Sequence, residues 1–151
     1  MPQSLANVII HIVYSTKHRK AFLRDPALRE EVHKQLGGAS KTLGCPPIIV
    51  GGTDDHVHLA ARQSRTITLA DWIKELKRTT SVWMKERDPR QEHFQWQAGY
   101  GAFSVSQSNV DQIVEYIRNQ EQHHRQFDFK TEFRRLLERH GIDYDERYVW
   151  D

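Results

Sequence analysis

Cysteine is almost absent from this sequence. Cys45 alone excludes an intrachain disulfide and any zinc cluster built on several thiolates, and its place before Pro46-Pro47 reads as an incidental loop position. No apolar run approaches the roughly 20 residues needed to cross a bilayer. The start, Met1-Pro2-Gln3-Ser4-Leu5-Ala6-Asn7, lacks the basic and apolar regions of a secretory signal, so a cytoplasmic, non-membrane protein is expected. An excess of one charge is missing too. The 22 Lys+Arg against 20 Asp+Glu leave a net +2, which removes global basicity as a sign of nucleic-acid binding and makes local clusters the informative quantity. Repeats, low-complexity tracts and linkers are lacking, and 151 residues are read as one domain, 1–151. Histidine, with nine copies, is abundant.

Hydrophobic periodicity then orders the chain. Asn7 to Tyr14 is rich in β-branched residues and reads as a strand, followed by the basic loop Lys17-His18-Arg19-Lys20. Asp25-Pro26 opens a helix carrying Leu28, Val32, Leu36 and Leu43, weakened at Gly37-Gly38 and ended by Gly44 and Pro46-Pro47. Ile48–Gly52 and His56–Ala61 read as a hairpin around Thr53-Asp54-Asp55. A helix follows over Leu69 to Arg87, with Trp72, Ile73, Leu76, Trp83 and Met84 on its apolar face. Phe94–Gln97 and Tyr100–Ser106 read as extended. A third helix, capped by Ser108 or Asn109, turns Val110, Ile113, Val114 and Ile117 inward, and a last one spans about Lys130 to His140, stopped by Gly141. The order β-α-β-β-α-β-α predicts an α+β fold: a ferredoxin-like sandwich, an antiparallel sheet with helices on one face.

On a strand, residues two apart share a face, so His56 and His58 present adjacent imidazoles, either as two ligands of one metal or as two exposed strand histidines. Tyr116 and Gln120 are one helical turn apart at the edge of an apolar stripe, where a boundary tyrosine and a solvated amide are the alternative. The two pairs are chemically compatible. Two imidazoles and an amide oxygen make a three-point site with open positions, suited to Mg²⁺ or Mn²⁺ and a phosphate oxygen, with no nucleotide cofactor. A tyrosine beside that site has a phosphodiester within reach. Its ordinary pKa near 10 makes phenolate a better leaving group than an alkoxide, so a phosphotyrosine ester keeps the bond available to a later hydroxyl. Tyrosine thus favours cutting and rejoining over hydrolysis.

These residues carry a family resemblance. His56-Val57-His58 is similar to the HUH motif, and Tyr116-Ile117-Arg118-Asn119-Gln120 to the Tyr-x-x-x-Gln helix, of the single-tyrosine HUH (TnpA-type) transposases of the smallest bacterial insertion sequences. Gly99–Ser106, Tyr14–Lys17 and Arg139–Asp145 resemble the family's segments in the same order. The resemblance implies a ferredoxin-like fold, a homodimer in which the tyrosine helix can complete the partner's site, and single-stranded DNA hairpins as substrate. It implies Tyr116 as nucleophile forming a 5′-phosphotyrosine, with His56, His58 and Gln120 as metal ligands. A domesticated HUH nickase acting on palindromic repeats keeps the same chemistry; a non-catalytic ferredoxin-like nucleic-acid-binding module is the reading from a different class.

Further candidates have plainer alternatives. Lys17, His18, Arg19 and Lys20 neutralise DNA phosphates or form a solvated loop. Lys74, Lys77, Arg78 and Lys85 bind DNA or are the wet side of an amphipathic helix. Trp96, Tyr100 and Phe103 stack on bases or pack internally. His123 and His124 read as helix-end cations, with an extra ligand or a proton shuttle as the alternative; Asp54 and Asp55 read as turn residues, with one of them orienting His56 as the alternative; and His11 reads as a packed or edge histidine.

Overall fold

The computed structural model describes residues 2–151. Strand β1 (Ile9–Ser15) lies inside the sheet, with β3 (His56–Arg62) on one side and β4 (Gly101–Val105) on the other, while β2 (Pro47–Gly52) pairs only with β3. The order is β2-β3-β1-β4 and every pairing is antiparallel. The ferredoxin-like arrangement is the one expected.

Period-two alternation divides the strands between two layers. Ile10, Ile12 and Tyr14 of β1 join Val57, Leu59 and Ala61 of β3 in the larger core. There they meet α1 (Pro26–Thr42) and α2 (Leu69–Arg87), which bury Leu28, Val32 and Leu36, and Trp72, Ile73 and Leu76. Asp25 caps α1 by accepting from Ala27 N at 3.0 Å, and Thr68 caps α2 by accepting from Asp71 N at 3.0 Å.

The opposite face is also covered, which corrects the expectation of helices on one face only. It carries α3 (Val110–Arg118), α4 (Gln120–Gln126) and α5 (Phe129–Arg139). The physical reason is that α5 is itself amphipathic: Phe129, Phe133, Leu136 and Leu137 need an apolar partner, and Val13 and Phe103 on that face supply it. Two glycines permit the close approach. A Cβ on Gly51 would lie 2.7 Å from the Ile117 carbonyl oxygen, so only glycine lets α3 settle on β2. One on Gly101 would lie 2.5 Å from the Phe133 ring.

Local departures from the sequence reading are small. The expected third helix is broken at Asn119, which leaves Gln120 as the first residue of α4. Asn109 precedes α3 without a side-chain cap bond. Phe94–Gln97 is not a strand; Trp96 alone makes an isolated bridge to Thr16. Among the described residues no helix is long and apolar enough to cross a membrane.

Candidate active site

The face of the sheet under α3–α5 carries His11 of β1 and His56 and His58 of β3. All three are buried, so their ring nitrogens need partners within the protein. His56 Nδ1 lies 2.7 Å from Asp55 Oδ1 and 3.0 Å from Thr53 Oγ1, and its Nε2 lies 2.9 Å from Gln120 Oε1. His58 Nδ1 lies 2.7 Å from His11 Nε2, and its Nε2 points at Glu132 Oε1, 3.0 Å away. Asp55 therefore orients His56, the alternative to its reading as a plain turn residue.

Glu132, on α5, is the centre of the cluster and was not foreseen. It is only 6% exposed. Its Oε1 accepts from the Tyr116 hydroxyl and, at 3.0 Å, from the Gln120 amide nitrogen. That second bond fixes the amide's orientation: with the nitrogen donating to Glu132, the oxygen must face His56. Tyr116 packs edge-on against His58, with ring centroids 5.7 Å apart, and against His11 at 6.1 Å. The nucleophile candidate and the imidazoles thus meet within one chain.

Electrostatics follow from this packing. Burial pulls His56 down, but the Asp55 hydrogen bond and the Glu132 and Asp55 charges outweigh it and hold the imidazole above its ordinary range. Both His56 nitrogens face oxygen partners, Asp55 Oδ1 and Gln120 Oε1. Burial lowers His58, and lowers His11 further with help from the adjacent His58. Burial alone would raise Glu132; the adjacent His58, the charge of His56 and the Tyr116 hydrogen bond hold it well below the usual carboxylate range. Tyr116 is raised above its ordinary value, first by burial and then by the Glu132 charge and hydrogen bond. Without a cation the phenol is therefore held protonated.

The donor set fits a divalent cation. His56, His58 and Glu132 offer ligand atoms all within 4.8 Å of one another. Within this group His58 Nε2 and Glu132 Oε2 are buried with no hydrogen-bond partner. The separation of 2.9 Å between His56 Nε2 and Gln120 Oε1 compares with an edge of about 3 Å for an octahedron with bonds of about 2.1 Å. A second grouping, Asp55, His56 and His124, is less suited, because His56 Nδ1 and Asp55 are already bonded to each other.

Tyr116 stands between two clefts. One, of about 360 Å³, is lined by His11, Phe103, Gln112, Arg139 and His140. The other, of about 300 Å³, is lined by His123, Phe127, Glu132, Arg135 and Arg139. Arg139, exposed and common to both, was missed by the sequence reading.

The remaining candidates are scattered. Lys17, Arg19 and Lys20 follow β1 at the end of the sheet where Ser15 pairs with His56. Lys17 and Lys20 flank a small cleft, while Arg19 donates to the Trp150 carbonyl at 3.4 Å. Lys74, Lys77 and Arg78 lie on α2, across the sheet from the histidines. Lys77 is a correction: its ammonium donates to the carbonyls of Gln97, Ala98 and Gly99 at 2.8, 3.1 and 2.8 Å, and burial lowers its pKa to about 8. It ties down the segment before β4 and does not present a free charge to DNA. Arg78 pairs with Glu75 at 2.8 Å. Trp96 and Phe103 are buried, as the packing alternative had it, whereas Tyr100 is 40% exposed. His124 lies 3.3 Å from Asp54, and the His123 ring packs 5.0 Å from that of Tyr116.

A family model described as "Transposase IS200 like" matches residues 4–120. The fold is similar to that of a transposase candidate from Deinococcus radiodurans R1, with a TM-score of 0.64 and 22% identity over 80% of this chain and 95% of that one. It is also similar to a REP-associated tyrosine transposase bound to a REP hairpin, with a TM-score of 0.60 and 10% identity over 82% of this chain and 72% of that one. No match is found among curated proteins. The matched residues include both histidines of β3, Tyr116 and Gln120, and on that evidence the chain belongs to the IS200-like transposase family.

Proposed function

We propose that this transposase cuts and rejoins single-stranded DNA by transesterification through Tyr116. Tyr116 Oη attacks a backbone phosphorus; an oxygen–phosphorus bond forms to tyrosine and the bond to the 3′ oxygen breaks. The products are a 5′-phosphotyrosine and a free 3′-hydroxyl. A second 3′-hydroxyl then attacks the same phosphorus and releases Tyr116. The observation that carries this reading is the convergence of Tyr116, Gln120 and two buried imidazoles on one carboxylate.

His56, His58 and Gln120 would hold the divalent cation, Mg²⁺ or Mn²⁺. When bound, such an ion polarises a phosphoryl oxygen and stabilises the charge of the departing 3′ oxygen. The protein's own part is positioning. Asp55 and His11 orient the two imidazoles, Glu132 orients Tyr116 and Gln120, and the clefts beside Tyr116 give the strand a path on either side. The hairpin in the REP-bound relative supports a hairpin substrate here. A homodimer is compatible with this site but not required to complete it, since Tyr116 meets His58 in its own chain.

The test is incubation with hairpin-bearing single-stranded oligonucleotides and Mg²⁺ or Mn²⁺. A covalent protein–DNA adduct is expected, lost on Tyr116→Phe and on chelation. Undiminished binding with no adduct from the wild-type protein on any of several hairpins would favour a non-catalytic module. Mixing Tyr116→Phe with His56→Ala chains is expected to stay silent; restored activity would place the tyrosine in its partner's site.

A further inference from the structure

We propose that Glu132 is a fourth metal ligand, binding through Oε2 while its Oε1 holds the Tyr116 hydroxyl. The inference rests on the metal-site reading above and assigns to that site a residue outside the segment matched by the family model, which ends at 120.

The carboxylate divides its two oxygens between different tasks. Oε1 accepts from Tyr116 and from the Gln120 amide and lies 3.0 Å from His58 Nε2. Oε2 is buried with no hydrogen-bond partner and lies 3.6 Å from His56 Nε2. An unpartnered carboxylate oxygen is costly inside a protein, because it has given up its water and received nothing in return. The ring nitrogen facing it, His56 Nε2, is too far away to hydrogen-bond. His58 Nε2, which faces the same carboxylate, is likewise buried and without a hydrogen-bond partner. A cation among these atoms would satisfy both.

The sequence around Glu132 points the same way. It lies on the stripe of α5 formed by Phe129, Phe133, Leu136 and Leu137, each buried, where a glutamate has no packing purpose. A carboxylate also changes the chemistry of the site. Two neutral imidazoles and an amide leave the full charge of the ion uncompensated, whereas Glu132 adds one negative charge and a hard oxygen donor, favouring Mn²⁺ and Mg²⁺ over softer ions. It further joins the ion to the nucleophile through a single side chain, so placing one helps to place the other.

The alternative is that Glu132 only clamps Tyr116 and Gln120. Titrating Mn²⁺ into the purified chain and following the free-ion signal by electron paramagnetic resonance separates the two without reference to DNA cleavage. Wild-type protein is expected to take up one Mn²⁺, Glu132→Gln to bind at least tenfold more weakly, and Tyr116→Phe to bind within about threefold of wild type. Equal affinity of Glu132→Gln and wild type would overturn the ligand assignment while leaving the three-ligand site standing. No Mn²⁺ uptake by wild type would overturn both. Should Glu132→Gln not fold, anomalous diffraction from Mn²⁺-soaked wild-type crystals decides: the ion is expected about 2.2 Å from a Glu132 oxygen, and an ion beyond bonding reach of that carboxylate refutes the proposal.

Discussion

His11 Nε2 and His58 Nδ1 lie 2.7 Å apart, so a single proton joins the two rings. For His58 Nε2 to offer a lone pair to a cation, that proton must sit on His58 Nδ1 and be donated to His11. In the proposed metal site His11 would accept that proton and hold the tautomer that binding needs. His11→Leu is expected to lower Mn²⁺ affinity by about 10- to 100-fold while the chain remains folded. Calorimetric titration of Mn²⁺, with circular dichroism as the folding control, checks this; unchanged affinity would return His11 to a packing role.

Gly51 sets the height of α3 above the sheet. Gly51→Ala would drive a methyl group into the Ile117 backbone, and overpacking of this kind costs typically 1–3 kcal/mol. The larger effect is expected on chemistry, since Tyr116 is one residue before Ile117 and moves with it. A displacement of about 1 Å is enough to lower a positioned reaction by about 100-fold. Adduct yield and a urea melt, measured together, test whether function falls further than stability.

Lys77 and Arg139 should respond in opposite ways. Lys77 has its donors engaged by three carbonyls, so Lys77→Met is expected to lower stability by about 1–3 kcal/mol and leave the salt dependence of DNA binding unchanged. Arg139 lines both clefts beside Tyr116, so Arg139→Ala is expected to weaken single-stranded DNA binding and to reduce the salt slope by about 0.7, the value of one phosphate contact. Binding isotherms at several salt concentrations distinguish the two.

His33, on α1, has its Nε2 buried without a partner, and burial lowers its pKa from 6.5 to about 4. A histidine depressed in the folded state is neutral in both states above the unfolded value, so it costs nothing there. As pH falls from about 6.5 toward 4 the unfolded chain takes up the proton first, and stability is lost. At pH 5 the loss from this group is on the order of 2 kcal/mol relative to pH 7.5. His33→Gln should flatten that part of the profile in urea melts at the two pH values; an identical fall in both proteins would exclude His33 as its source.

Much of this arrangement is legible in the residues themselves. The period of two along His56-Val57-His58 places both imidazoles on one face, and Asp25 and Gly141 mark helix ends by their local chemistry. Partners that depend on register are not legible. His11 stands opposite Ala60, not His58, and reaches His58 only as a diagonal neighbour across the β1–β3 pair. Glu132 reads locally as one charge among many in Lys130–Arg139, yet the sequence does hold a signal: a glutamate in line with Phe129, Phe133 and Leu136. The second layer of helices went unforeseen because a short amphipathic helix does not declare which face of a sheet it covers.

Tyr116 reaches its imidazoles without leaving its own chain. Dilution therefore does not part the attacking group from the ion site, and adduct formed per molecule should hold constant as protein concentration falls. In the proposed reaction, a single copy arriving at a stretch of unpaired DNA would bring the attacking group and the ion's ligands together. Encounters between copies would then govern which ends are joined, not whether the first cut is made.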